Sequence, residues 1–333
     1  MSENQAVVKT APRKEKRPVS RKNAEKRPTA KKDMTKLQWT WHEMKAGKMG
    51  YILVAPFMFL FFMFTVLPVI LSVFLSFTIF NMLEAPEWIF LDNYITLFLD
   101  DDIFLLALKN TLFFACITGP GCYLLSLIFA WFINELPPKL RAFVTLVFYA
   151  PSISGGTTMI WSLMFTTDQH GIINGLLMKY GVITQPIAFF QDPDYLIPLT
   201  IAISLWSSLG TSFLVFIAAF QTVNRDMYEA GAMDGVKNRW QELWYITLPS
   251  MKNQMMFSAV MAITSSFNFG GLVSSLAGTP SPDYCAHTLV HHLGDYGGTR
   301  MEMGYASAIA VVLFAMMVGS NMLVQKLLSK VGK

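Results

Sequence analysis

Along the 333-residue chain, six stretches contain no Asp, Glu, Lys or Arg: 49–83, 110–134, 142–167, 195–224, 253–282 and 303–325. Each reaches at least 23 residues and is rich in Leu, Ile, Val, Phe and Met. A bilayer core needs about 20 helical residues, and buried helices of water-soluble proteins are rarely so long and so apolar. The pattern predicts six transmembrane helices, near 50–80, 106–133, 142–166, 195–220, 256–277 and 304–327, and hence an all-α polytopic membrane protein. Pro56 and Pro68 are expected to mark the start of the first helix and a kink in it, as ordinary membrane-helix irregularities. That first run is expected to start too far into the chain for a cleaved signal peptide, and no small-residue cleavage site is evident.

Composition agrees with this reading. The chain is 53% apolar and 14% charged, with a mean hydropathy of +0.42, whereas an average soluble domain is about a quarter charged. The net charge of +4 conceals an asymmetry: residues 1–49 hold 14 Lys/Arg against 5 Asp/Glu, and the rest hold 12 against 17. Glu15-Lys16-Arg17-Pro18 recurs as Glu25-Lys26-Arg27-Pro28. Residues 1–36 therefore read as a disordered basic tail that attracts anionic lipid, with no nucleic acid as partner. Leu37, Trp41, Met44 and Lys48 share helical spacing, so 37–49 reads as an interfacial helix, followed by the six-helix body at 50–328 and a short tail at 329–333.

Charge also predicts orientation. With the N-terminus cytoplasmic, the inside segments (1–49, 134–141, 221–252 and the end of the chain from Lys326) hold 23 Lys/Arg. The outside segments 81–103, 167–194 and 278–303 hold Lys179 and Arg300, with Lys109 near a helix mouth. By the positive-inside rule both termini are cytoplasmic. Asp100-Asp101-Asp102 is expected to be a solvated acidic loop.

The candidate chemistry is sparse. No span centre carries a carboxylate or amine, which argues against an ion-coupled transporter. The chain contains no G-x-x-x-x-G-K-[ST] loop, no Gly-x-Ser-x-Gly and no His-Glu-x-x-His. His287, His291 and His292, flanked by Asp283 and Asp295, are expected to be solvated or packed loop residues rather than metal ligands. Cys116, Cys122 and Cys285 are too few and scattered for a disulfide framework, and the first two read as packing residues. A membrane-embedded enzyme would need clustered acids, bases or metal ligands facing a cavity, and the spans do not supply them.

The segment 221–252 differs from the other loops, because charges of both signs alternate there with large apolar residues. Asn224 can cap a short helix, with Asp226 near its positive end. Gly235 is a natural stop. Asn238 with Gln241 forms a capping-box pattern for a second helix, to which Trp240, Leu243 and Trp244 give an apolar face, and Pro249 ends the excursion. Two short helices around a glycine make either a protein-docking knob or a loop lying under the bilayer.

Met227 to Gly235 followed by Ile246-Thr247-Leu248-Pro249 resembles the E-A-A, glycine, I-x-L-P signature of permease subunits of binding-protein-dependent ABC importers. The wider chain, over roughly 50–328, is similar to the carbohydrate branch of that family, the maltose- and glycerol-phosphate-type permeases. Matching pieces are Asn110-Thr111-Leu112, Pro151 with Trp161, Gly171 with Asn174, Trp206 with Gly210, Phe267 to Phe269, and Gly304-Tyr305-Ala306-Ser307-Ala308. Gly231 stands where alanine is usual, ten residues separate Gly235 from Ile246, one more than the family spacing, and Asn253 stands where a second proline is common.

The resemblance implies a multi-pass subunit of a bacterial-type cell membrane that is not itself an enzyme. It implies a pathway shared with a second related permease, as a heterodimer. It further implies two cytoplasmic ATPase subunits that hold ATP and Mg, no cofactor in this chain, and an external or periplasmic solute-binding protein delivering a sugar. Carried over residue by residue, Glu229, Ala230, Gly231, Asp234 and Gly235 couple to the ATPases, and none is catalytic. Trp161, Trp206, Ser265 and Asn268 are candidates for the translocation pathway. The alternatives are an ABC permease for a peptide or amino acid and a stand-alone channel.

Overall fold

The computed structural model describes residues 47–153, 156–169 and 171–330. The expected basic tail (1–36) and most of the expected interfacial helix (37–49) lie outside the described residues.

The chain divides into two units at Thr65. In the first, Lys48–Phe61 is an α-helix with no buried residue. Pro56 lies inside it rather than at its start. A helix apolar from Met49 onward with every side chain exposed has a hydrocarbon phase, not water, as its natural solvent. Pro68 sits in the first turn of the helix Leu67–Leu75, directly after a π-turn at Phe62–Val66. A wider turn accommodates the missing proline N–H and its ring.

In the second unit the first span stops at Leu75, short of the expected residue 80. The reason is a two-stranded ribbon in which Thr78 pairs with Trp88 and Ile79 with Glu87. Buried Asn93 fastens this corner by donating to the Ser76 and Thr78 carbonyls. The second span, Asp102–Asn134, starts a turn earlier than expected because Asp101 accepts a hydrogen bond from the Phe104 N–H at 2.8 Å and caps it.

The expected third span, 142–166, is not one helix. It is a pair, Pro138–Ile153 and Thr158–Met164, bent by 86°. The apolar run has the length of a span, but the helix ends at Ile153 and a differently directed one begins after Gly156. The fourth span, Pro193–Thr222, is interrupted after Ser207 and resumes at Thr211. The fifth, Lys252–Ala277, is interrupted at Asn268, and the sixth runs Met303–Leu328 unbroken. The described chain therefore has five helices long and apolar enough to cross a membrane, or six with the bent pair as one.

The second span is the central post of the second unit. Toward one end Leu127, Ala130 and Ile133 pack with Phe213, Phe216 and Phe220 of the fourth span and with Leu243, Leu248 and Met251 of the 221–252 segment. In the middle Phe114 stacks on Phe269 at 4.3 Å. Toward the other end Phe104 and Ala107 meet Leu289, Tyr305 and Ile309. Small residues allow the close approach, as is usual between membrane helices: a Cβ on Gly119 would stand 3.3 Å from the Ser266 Oγ, and one on Gly121 2.8 Å from a Leu205 methyl.

Candidate functional site

All three interrupted spans open onto one cavity of about 450 Å³. Pro151, Ser152 and Thr158 line it from the third span, Ser207, Ser208, Gly210 and Thr211 from the fourth, and Ser265, Ser266, Asn268 and Phe269 from the fifth. The second span adds Thr118, Cys122 and Ser126. Broken helices leave backbone groups without intrahelical partners, which is tolerated at membrane depth only inside protein or beside a cavity. Here side chains take up two of them: Ser126 Oγ donates to the Ser208 carbonyl at 3.2 Å and Ser152 Oγ to the Leu209 carbonyl at 3.1 Å.

Eleven of the nineteen lining residues are Ser or Thr, and none is Asp, Glu, Lys, Arg or His. Hydroxyls both donate and accept, so this wall can solvate a neutral, hydroxyl-rich solute without a charge of its own. Of the four pathway residues expected from the sequence, Ser265 and Asn268 line the cavity and Trp161 and Trp206 do not. The two tryptophans pair edge to face at 5.3 Å, and Trp161 packs among Phe165 and the core around Phe114 and Phe269. The remaining hydroxyls were not singled out from the sequence. Their signal is the cluster Ser204, Ser207, Ser208, Thr211 and Ser212 on both sides of the break in the fourth span.

The 221–252 segment follows its local sequence signals closely. Arg225–Met233 is a helix whose cap, Asn224, accepts from the Asp226 N–H at 3.1 Å. Gly235 ends it with φ = +93°, a conformation that costs glycine little. Asn238 and Gln241 form a reciprocal capping box on Arg239–Glu242. The chain then widens into a π-turn at Leu243–Thr247. A π-turn takes up one extra residue, which accounts for the ten-residue spacing to Ile246.

The expected apolar face of the second helix is divided. Leu243, Ile246 and Thr247 are buried, whereas Trp240 and Trp244 are 65% and 68% exposed, because the π-turn rotates the face between them. Pro249 lies within the last helical turn, Leu248–Ser250, and the chain turns at Met251. Gly231 is buried, and a Cβ there would come within 2.5 Å of the Ile246 Cδ1, so glycine at this position seats Ile246. Tyr228 and Thr247 share a hydrogen bond of 2.9 Å that joins the two helices. Trp240 lies 4.7 Å from Trp131 and Arg239 pairs with Glu135, which joins the segment to the end of the second span. Glu229, Ala230, Asp234 and Gly235 face solvent, beside Met233 at 89% exposure. Of the five expected coupling residues, four therefore form one exposed surface and Gly231 is its internal seat.

At the opposite end of the second span, Asp101 is not a solvated acid. Its carboxylate accepts from the Phe104 N–H, the Tyr305 hydroxyl at 2.7 Å and His292 Nε2 at 2.9 Å. Burial opposes its charge, yet these bonds and the nearby His292 hold its carboxyl below the usual value. His287, His291 and His292 are packed, each at most 5% exposed. Among the described residues no group of three or more His, Cys, Asp or Glu is arranged to hold a metal ion.

The matched motifs near this end are fasteners. Asn110 donates to the His287 carbonyl at 2.9 Å, and Thr111 Oγ1 accepts from the Leu289 N–H at 2.9 Å. A Cβ on Gly304 would collide with the Thr78 carbonyl. Asn174 is fully buried and joins the Thr166 carbonyl to the backbone of Ile187.

Apolar spans broken around a neutral cavity, with a compact exposed loop between the fourth and fifth, define a polytopic membrane transport subunit. The chain is 33% identical over 270 residues to the probable ABC transporter permease protein YesP of Bacillus subtilis, covering 79% of this chain and 85% of that one. It thus belongs to the ABC transporter permeases. It is also 28% identical over 279 residues to the lactose transport system permease protein LacF of Rhizobium radiobacter, covering 80% and 89% of the two chains. A bacterial ABC transporter importing the acidic polysaccharide alginate shares its fold, with a TM-score of 0.73 and 22% identity over 89% of this chain and 100% of that one. No protein-family model matches the chain.

Proposed function

We propose that this chain is the membrane-spanning permease subunit of an ATP-driven importer, forming half of the pathway for a neutral sugar or oligosaccharide. The carrying observation is the 450 Å³ cavity at the three helix breaks, walled largely by hydroxyls and free of Asp, Glu, Lys, Arg and His. Hydroxyl walls suit sugar hydroxyls, which must exchange hydrogen bonds with water for equivalent ones. A uronate would be desolvated there without a cationic partner. The other half of the pathway comes from a second, related permease.

In this reading the exposed surface of Glu229, Ala230, Asp234 and Gly235 docks on one of two cytoplasmic ATPase subunits, which bind ATP and Mg. The Tyr228–Thr247 bond and the Trp131–Trp240 contact make the loop one body with the second span, so ATPase closure rotates the span and switches access to the cavity. A solute-binding protein supplies the sugar from outside. A solved bacterial alginate ABC transporter in complex with an alginate-bound periplasmic protein supports that arrangement. Both termini and the 221–252 loop are cytoplasmic, as the division of Lys and Arg implies.

The test is reconstitution in liposomes with the second permease, the ATPases and the binding protein. ATP-dependent sugar uptake is expected, and ATP-independent flux through this chain alone would make it a channel instead. Cysteines at exposed Glu84 and Thr279 should label from outside and one at Gly235 should not; the reverse pattern inverts the topology.

A further inference from the structure

The second half of the 221–252 loop carries an aromatic face that the Glu229–Gly235 surface does not include. Trp240, Trp244 and Tyr245 are 65%, 68% and 69% exposed. They take no part in joining the two short helices, which meet through Tyr228 on Thr247 and Gly231 on Ile246. Large apolar side chains gathered on a surface mark a place of interaction. Their types say with what. Trp and Tyr each combine a broad apolar ring with one N–H or O–H, the combination that suits the boundary between membrane and water.

The depth of this face follows from its contact with a span. Trp240 lies 4.7 Å from Trp131, which belongs to the last turn of the second span, Asp102–Asn134. The charge-free part of that span, 110–134, makes about 37 Å of helix. A hydrocarbon core is about 30 Å thick, so only a few residues at each end of this part reach beyond it. Trp131 therefore sits where acyl chains give way to headgroups, and Trp240 rests against it.

The face also continues the lipid-facing surface of the same span. Leu124, Ile128 and Phe132 are exposed and four residues apart, so they form one strip along the helix. Phe132 stacks on Trp131 at 5.2 Å, which leads the strip into the Trp131–Trp240 pair. Lys237, three residues before Trp240, is exposed and makes no ion pair among the described residues. A lysine there complements the phosphates of anionic lipid.

We propose that the second helix and π-turn, residues 239–247, form a foot on the bilayer surface. Trp240, Trp244 and Tyr245 lie among lipid headgroups, and Lys237 meets an anionic lipid phosphate. The loop then has two faces with separate partners, protein for Glu229, Ala230, Asp234 and Gly235, and lipid for the aromatic residues. Such a foot holds the loop at a fixed height and leaves it free to slide in the membrane plane. The lipid face requires only the spans, whereas the protein face rests on the importer reading above.

The experiment uses a nitroxide, which reports the phase around it: oxygen concentrates in lipid, and a hydrophilic nickel chelate stays in water. Cys116, Cys122 and Cys285 are replaced by Ala, and the label is attached at Tyr245→Cys or at Met233→Cys. The assembled complex is placed in nanodiscs of phosphatidylcholine and phosphatidylglycerol. The label on Tyr245→Cys should collide more with oxygen than with nickel, with or without the ATPases. A label open to nickel overturns the foot. A label closed to both reagents means that protein covers this face, and overturns it too. The label on Met233→Cys should be open to nickel in the permease pair and closed once the ATPases bind. If that change is missing, the docking reading fails while the foot stands.

A second measurement keeps the cysteines. Fluorotryptophan replaces tryptophan throughout the chain, and the Trp240 and Trp244 fluorine resonances are assigned by their loss in Trp240→Phe and Trp244→Phe. Lipid with a nitroxide on its headgroup should broaden both resonances beyond detection and leave that of Trp161, packed in the core around Phe114 and Phe269, sharp. Sharp Trp240 and Trp244 resonances beside such lipid overturn the foot.

Discussion

Between Asn224 and Ser250 the side-chain hydrogen bonds join residues two to 23 positions apart, and Lys252, at the edge of the next span, reaches the Ser329 carbonyl. In the 278–302 segment they reach residues 174 to 191 positions away. Both segments link two apolar spans, and both contain short helices with capping boxes. The first is a self-contained knob with Glu229, Met233 and Trp244 turned outward; the second is folded into the body, with its histidines buried. The difference teaches where function can be placed. A self-contained element can move as a unit against a partner, and an element laced into the spans can only shape a fixed site.

The largest expected effect comes from spoiling the knob. Glu229→Arg reverses a docking charge, a change that costs several kcal/mol across an interface. Gly235→Asp forces a side chain onto φ = +93° and adds a charge. Both variants should reach the membrane and assemble with the second permease, yet lose nearly all uptake and receptor-stimulated ATPase activity. Wild-type activity in both would sink the coupling role of this loop.

Acid separates the two segments in the opposite direction. His287 and His291 are held neutral in the fold at a value of about 4, whereas in the unfolded chain they titrate at their usual 6.5. As pH falls below 6.5 the unfolded chain takes up protons that the fold refuses, so stability is lost downward from 6.5 toward 4 and is unaffected above it. At pH 5 the loss is about 2 kcal/mol for each imidazole. Hydrogen exchange should therefore accelerate in 278–302 between pH 7 and 5, after correction for intrinsic rates, and stay level in 225–242. Equal protection at both pH values in 278–302 would refute the buried neutral state.

Asp101→Ala removes a helix cap and leaves His292 Nε2 and the Tyr305 hydroxyl without their acceptor, a loss of about 3 kcal/mol. Limited proteolysis should open 278–302 and spare the knob; equal cleavage of both would contradict the separation. The smallest effect is Asn238→Ala, which forfeits a capping box worth about 1 kcal/mol. It should fray Arg239–Glu242 without altering 278–302, and a change in the outer segment would show that the two are coupled.

Legibility followed the same division. The spans, the Asn224 cap, the Gly235 stop and the Asn238–Gln241 box all depend on residues a few positions apart, and the sequence displays them directly. The break near Gly156 was invisible, because a hydropathy run reports apolarity and not backbone continuity. The hydroxyl cavity escaped because serine and threonine are ordinary packing residues in membrane helices, and only convergence from four spans gives them a role. Asp101 looked solvated because its partners, His292 and Tyr305, are some 200 residues distant. The extra residue before Ile246 was visible as a departure in spacing, but its physical form, the π-turn at Leu243–Thr247, was not.

The second span touches all of these places, and its 33 residues make a rod roughly 50 Å long. One tip is clamped by Asp101, and the other by Arg141, which donates to the Asn134 carbonyl at 2.7 Å. Thr118, Cys122 and Ser126 ride its middle in the cavity wall. In mechanical terms it is a shaft linking a handle to a seat, and its compliance is concentrated where Pro120 removes one rung of the hydrogen-bond ladder. In the importer proposed above, torque applied near Glu135 would turn Cys122 and Ser126 stiffly, while the softer joint at Pro120 would shield the Asp101 end beyond it from the full stroke.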